Sequence, residues 1–418
     1  MNNWIVTPEE RIHLRELAKK QLEYSKLPIM KEREVLWYKH NDLKGEIPMI
    51  HFETWTCEKD LLPPLKCKSE AAKNIELQIN REILNYETIG DDRVVPSWFN
   101  IGWNIKMVLF DLEIKKDHAT DLRGGNLGFH INNPIKDLQE DMHLLKETKY
   151  SVDREGTLMW KSFVEEILGD ILPVKISMGS LNCSLTQNVI LLMGMETMMF
   201  SMIDYPDEFH QLMSRISKDY IDFFKWMEKE DLLLLNNNGL AQGTFGFTRD
   251  LPKKSKIFNT KITTNDLWGY LDSQETVGVS PEMFDEFFFP YYLQIAKQFG
   301  LLSYGCCEPV HAHWEKSLSR LPELRKISIS PWCNEDYMGE VLKGSNTIYH
   351  RKPSPNFLGV GKNLDEDAFR EYILKTINAA KGCKLEFSFR DVYNLEGNPG
   401  KVRRAVQIIR DLLESNWR

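Results

Sequence analysis

Leu267-Trp268-Gly269-Tyr270-Leu271, Leu301-Leu302-Ser303-Tyr304 and Lys326-Ile327-Ser328-Ile329-Ser330 are three apolar runs of strand length. Between them, Ser280-Pro281-Glu282-Met283 opens a helical pattern that reaches Phe299, and a second such pattern covers His311–Arg320. Short run, helix-length segment, short run: this order implies parallel strands, because each crossover needs a helix to return the chain to the same end of the sheet. Reading outward, the alternation predicts further strands at Val174–Met178, Leu232–Leu235, Thr347–His350 and Leu385–Phe389, with Ile47–Phe52 ahead of them all. It also predicts helices at Ser184–Ile203, Pro206–Lys229, Asp365–Ala380 and Lys401–Asn416. Eight parallel strands favour a closed (β/α)8 TIM barrel over an open doubly wound sheet, and no Gly-rich turn follows Phe52 as the open form would require.

Ahead of the first strand, Thr7-Pro8-Glu9-Glu10 is a capping box that starts a helix running to about Tyr24. Residues 1–45 therefore read as an N-terminal helical extension and 46–418 as the α/β barrel, with an inserted elaboration at about 53–172. That elaboration contains a predicted helix at Glu70–Tyr86, a polar strand at Val108–Ile114 and a Gly-rich turn at Arg123-Gly124-Gly125-Asn126. Its Trp98, Phe99 and Trp103 are expected to cover part of the barrel mouth.

Composition narrows the function. Across 418 residues, 53 Lys and Arg against 61 Asp and Glu give a net charge of −8, which argues against phosphate backbones and anionic lipid as partners. The longest apolar runs, such as Val189-Ile190-Leu191-Leu192-Met193, fall far short of a bilayer span, and the first ten residues lack the pattern of a signal peptide. Seven cysteines without an export signal read as reduced thiols in a cytoplasmic protein.

In a barrel, chemistry belongs to the residues just after each strand. Those positions hold Glu53, Asn236-Asn237-Asn238, Asp272-Ser273-Gln274-Glu275, Tyr304-Gly305-Cys306-Cys307-Glu308, Ser330-Pro331-Trp332-Cys333, Arg351-Lys352 and Arg390-Asp391. Cys306, Cys307 and Glu308, with His311 and His313 nearby, are a donor set that zinc accepts. One cysteine packed in the wall, with Glu308 merely starting a helix, is an equally good reading, since adjacent residues of a strand face opposite ways. Glu275 and Asp272 are candidate acid–base groups, and Lys352 a candidate cation for a substrate carboxylate or phenolate; surface acids and a solvated Arg-Lys pair compete with these roles. Asn237, Tyr304, Trp332 and Asp391 are candidate substrate contacts, although Asn-Gly at 238–239 is also a turn signal. Gly243-Thr244-Phe245-Gly246-Phe247 suggests a flap at the barrel mouth or a plain turn, and the Met-rich run Met193–Met202 suggests core filling.

Taken together, Ser280-Pro281-Glu282-Met283-Phe284-Asp285-Glu286-Phe287, Pro290-Tyr291, Tyr304-Gly305-Cys306-Cys307-Glu308-Pro309 and Lys326-Ile327-Ser328-Ile329-Ser330-Pro331-Trp332 resemble the uroporphyrinogen decarboxylase superfamily. The likeness is strongest to its methyltransferase-like, corrinoid methyltransferase branch. It extends from about Pro173 to the C-terminus and over Leu27–Asp92. The Arg-rich stretch of the true decarboxylases has no counterpart in Ile50-His51-Phe52-Glu53-Thr54-Trp55. The resemblance implies methyl transfer, such as O-demethylation, between a small methylated substrate (an aryl methyl ether or a methylamine-like compound) and the cobalamin of a separate, transiently bound corrinoid protein. That partner is expected to dock near Phe245, Phe247 and the loop after Tyr304. The resemblance also implies zinc, for which the branch uses His-x-Cys; here Tyr304-Gly305-Cys306 stands in its place, and Cys383 comes at the start of the last strand. The alternatives are a carboxy-lyase acting on a small or tetrapyrrole acid, with Lys352 holding the carboxylate, and a non-catalytic partner of the corrinoid protein.

Overall fold

The computed structural model describes residues 4–120, 126–241, 243–253 and 261–417. The Gly-rich turn at 123–125 lies outside them. The architecture is mixed α/β, built on a seven-stranded parallel sheet.

In chain order the parallel strands are β1 (Met49–Phe52), β2 (Phe99–Ile101), β3 (Val174–Ile176), β4 (Leu181–Cys183), β5 (Trp268–Leu271), β6 (Leu301–Tyr304), β7 (Leu324–Ile329), β8 (Ile348–Arg351) and β9 (Leu385–Phe389). The large sheet runs β1-β9-β8-β7-β6-β5-β4, and β2 pairs separately with β3. Since β3 leads into β4 after four residues, one stretch of chain carries both ladders. Between β1 and β2, Asp91 and Asp92 do what a neighbouring strand would do: their carboxylates accept the N–H groups of Phe52 and Ile50, each at 2.8 Å.

Two sequence expectations change here. Leu232–Leu235 is not a strand, and Leu232 and Leu233 are buried in the main core. Two parallel strands are missing from the prediction: β4, just past the strand expected at Val174–Met178, and β2, inside the segment read as elaboration, so Phe99 belongs to a ladder and is not a cover. Phe99 and Ile101 join a second core in which helix Pro8–Ser25 packs with Glu70–Leu84 and Arg154–Leu168. The capping box forms as predicted, with Thr7 and Glu10 bonded reciprocally. The helix predicted over Ser280–Phe299 is split at Phe288 into Pro281–Phe287 and Phe289–Ala296.

Alternation sorts the strands into two faces. Ile327, Ile329, Tyr349, Leu385, Phe387 and Phe389 pack with the helices in the main core. The other face is polar: Lys326, buried and flanked by Trp37 and Trp268, bonds Glu386 at 2.9 Å, and His40 and His350 approach the same carboxylate. Burial works to raise the Glu386 pKa, but Lys326, His350 and His40 outweigh it and hold the group ionised.

The segment read as a flap lies on this polar face: Gly243 reaches Ser388 and Arg390, and Phe245 and Phe247 lie away from the mouth. Lys326 Nζ donates to the Phe245 carbonyl at 3.1 Å, Asn41 donates to the carbonyls of Phe245 and Phe247, and both rings pack with Trp37 and Met49. Met49 and Trp268 open their strands, so the Phe245 end of the hairpin Leu240–Ala241/Thr244–Phe245 covers the amino-terminal side of the sheet. Among the described residues, no helix is long and apolar enough to cross a membrane.

Candidate active site

The carboxyl ends of β5, β6, β8 and β9 bring five sequence-predicted residues together: Asp272, Cys306, Cys307, Lys352 and Asp391. Gly305 makes this possible. Its φ of 96° lies in the left-handed region, and a Cβ there would stand 3.0 Å from Ser328 Cβ and 3.2 Å from Val310 Cγ1. The bend carries the chain off the strand, so the two thiols that ideal alternation would separate stand 3.5 Å apart. Lys352 Nζ fixes the bend by donating to the carbonyls of Gly305 (3.1 Å) and Cys306 (3.2 Å), and Ser328 donates to the latter at 3.0 Å.

Cys307 lies 3.3 Å from the Asp391 carboxylate, its other hydrogen-bond acceptor besides Cys306. Asp391 itself has φ 59°, which turns its side chain back over the thiols. Hydrogen bonding from Cys307 draws the Cys306 thiol down in pKa against the effect of burial, helped by the charges of Lys352 and Arg390. The same bond, with burial and Asp391, pushes Cys307 up. The two thiols titrate as a pair, with the first thiolate favoured at Cys306.

Arg390 and Glu53, from the ends of β9 and β1, form a buried ion pair at 2.9 Å next to this cluster. Although burial opposes it, Glu53 and the Cys306 thiol hold the Arg390 pKa up. Asp272 is raised by burial, against which the Ser184 and Tyr270 hydroxyls work; Tyr270 donates to it at 3.1 Å. Tyr292 fixes the Asp272 carbonyl at 2.6 Å.

The zinc set is not assembled. Glu308 turns back into the loop, where its two oxygens accept the N–H groups of Cys306 (2.7 Å) and Ser273 (2.9 Å). Burial and Asp272 raise its pKa to about 7. Cys306, Cys307 and Glu308 do not form a compact three-donor group among the described residues, so these side chains as placed do not fit the zinc site that the resemblance implies. His313 stacks on Phe284 with centroids 4.2 Å apart, and the His311 ring accepts the Asn334 N–H, so neither histidine joins the thiols. Cys383 donates to the Gly339 carbonyl at the opposite end of the sheet, as its position in the sequence implied.

The other expected contacts separate. Glu275 accepts from Thr186 at 2.7 Å and is raised by burial; it stands one layer out, between the helices. Tyr304 is fully buried on the helix side, with its hydroxyl 2.6 Å from Ser273 Oγ. Asn237 staples its own loop by donating to the carbonyls of Thr248 and Leu251. Trp332 is 65% exposed on the loop after β7, and Trp55 and Tyr393 are likewise exposed on the loops after β1 and β9. The sequence reading placed Glu53 and Arg390 at strand ends but assigned them no role. The alternation Glu386, Ser388, Arg390 was the available signal.

No protein-family model and no curated protein matches the chain. Among solved structures, a methyltransferase from Methanosarcina mazei is similar in fold. Its TM-score is 0.51, with 13% sequence identity, over 91% of this chain and 98% of that one. At that identity the likeness extends to the fold alone.

Proposed function

We propose that this protein is a methyltransferase that moves a methyl group between a small methylated substrate, such as an aryl methyl ether or a methylamine-like compound, and a corrinoid carried on a separate protein. The observation that carries the reading is the Cys306 cluster: an acidified thiol, two buried cations and a protonatable carboxyl at the carboxyl ends of parallel strands. The fold likeness to a methyltransferase supports it. The same proposal includes a closed (β/α)8 barrel, in which the Asp91–Asp92 segment seals β1 against β2.

Removing a methyl group leaves an electron pair on oxygen, nitrogen or sulfur. Asp272, whose pKa burial raises, would give that atom a proton, with Tyr270 and Ser184 fixing its orientation. Arg390 offsets negative charge at Cys306 and on the departing atom. Lys352 acts through the loop and is a positioning residue. When bound, the corrinoid supplies the cobalt centre that exchanges the methyl group. Trp55, Trp332 and Tyr393 offer its carrier an exposed aromatic rim at the strand ends; Phe245 and Phe247, at the other end, do not. Decarboxylation is less well supported, because the Lys352 ammonium that would hold a substrate carboxylate is bonded to two carbonyls.

The test is spectral. Methylated substrate should change the absorbance of reduced corrinoid protein only when this protein is present, and Asp272→Asn should slow that change. Carbon dioxide release from an acid substrate without corrinoid would replace the proposal with a lyase.

A further inference from the structure

A second cluster lies far from the strand ends, where helix Pro8–Ser25 meets helix Glu70–Leu84. His13 comes from the first helix, Glu76 from the second, and Cys67 from the loop that precedes the second. One ligand atom from each lies within 4.8 Å of the other two, and this is the only such His/Cys/Asp/Glu trio among the described residues. We propose that His13, Cys67 and Glu76 form a divalent-cation site that prefers zinc, separate from the Cys306 cluster.

The donor chemistry fits a borderline-soft ion, combining thiolate, imidazole and carboxylate. Cys67 and Glu76 are buried, and His13 is partly exposed. A dication facing one thiolate and one carboxylate leaves the buried site neutral, so no uncompensated charge is enclosed. Binding releases the Cys67 thiol proton to solvent, and the His13–Glu76 contact at 2.9 Å opens to admit the ion. The carboxylate is already oriented: the N–H groups of Lys66 and Cys67 donate to Glu76 at 2.8–3.1 Å and hold it towards the loop. Alongside runs a cleft of about 720 Å³, lined by Thr7, Glu10, His13, Cys67 and Ser69 among others, through which water can supply a fourth ligand.

Cobalt(II) added to the metal-stripped full-length protein reads the site directly, because thiolate ligation gives a near-ultraviolet charge-transfer band. We expect one equivalent to produce that band, Cys67→Ser to abolish it and to weaken zinc binding about tenfold or more, and Cys306→Ser and Cys307→Ser to keep it. Zinc should also protect Cys67 from alkylation. Absence of the band, its survival in Cys67→Ser or its loss in Cys306→Ser would each overturn the site. If Cys67→Ser does not fold, His13→Ala decides: zinc affinity lowered tenfold upholds the site, and unchanged affinity overturns it. None of these readouts depends on methyl transfer.

Discussion

Cys307 carries one S–H proton and has two acceptors within reach, the Cys306 sulfur at 3.5 Å and Asp391 at 3.3 Å. Every proton shared with Cys306 stabilises that thiolate, so the acidity of Cys306 is set partly by a neighbour with no other chemistry of its own. Iodoacetamide labelling against pH should show Cys306 reacting with a midpoint below that of an ordinary thiol, and Cys307→Ala should move the midpoint upward; an unchanged midpoint would leave the lowering to Lys352 and Arg390. Glu308 gives a second pH signature. Its pKa rises from 4.5 to about 7 on folding, so the folded state keeps a proton that the unfolded state releases. Stability then falls as pH rises from 4.5 to 7, by about 3 kcal/mol for this group. Urea titrations across that range should show the descent in the native protein and a flatter profile in Glu308→Gln. The sequence showed both residues as chemically able but not which way Glu308 would turn, since donating and accepting partners are chosen by the fold of the loop.

The hairpin around Phe245 shows how an element can be recognised and misplaced. Two glycines and two phenylalanines suggest a lid from sequence, yet Phe245 and Phe247 are buried against Trp37 and Met49. Phe245→Ala should therefore cost about 3–5 kcal/mol in denaturant unfolding, whereas a mouth flap would lose almost nothing. Helix-on-helix contact gives a second element-scale test. Gly339, in helix Glu335–Leu342, lies so close to helix Glu366–Ala379 that a Cβ would stand 1.9 Å from the Ala379 carbonyl oxygen. Gly339→Ala should lower stability by about 1–3 kcal/mol, with its thermal midpoint as the readout. Leu232–Leu235 departs from its strand pattern for a related reason: an apolar run of four satisfies a strand pattern and a buried loop equally, and only the ladder partners choose between them.

At the scale of the molecule, the free edge of β1 is satisfied by side chains. Asp91 accepts from Phe52 N–H, from Asn85 at 2.7 Å and from His51 at 3.2 Å, while Asp92 accepts from Ile50 N–H and from Arg410. Burial works to raise the Asp91 pKa, but His51, Asn85 and the Phe52 amide lower it below the usual carboxylate range. A depressed carboxylate contributes stability that is present above the ordinary carboxylate pKa and is lost as pH falls through the depressed one. Asp91→Ala should remove about 3 kcal/mol at neutral pH, because it leaves buried donors without an acceptor, and it should speed hydrogen exchange at Phe52. Unchanged exchange there would mean that Asp91 does not hold the Phe52 amide.

The order of strands and helices after Leu267, the N-terminal capping box and the cluster of reactive groups at Tyr304-Gly305-Cys306-Cys307 were legible in the sequence, because periodicity, caps and turn chemistry are local. Tertiary structure alone decided that Phe99–Ile101 is a strand, that Phe245 lies beside Lys326, that Arg390 faces Glu53, and that His13, Cys67 and Glu76 meet. Each of these joins residues distant in the chain. The physical reason is that a buried polar group takes whichever partner the packed elements present, and no local pattern encodes that partner.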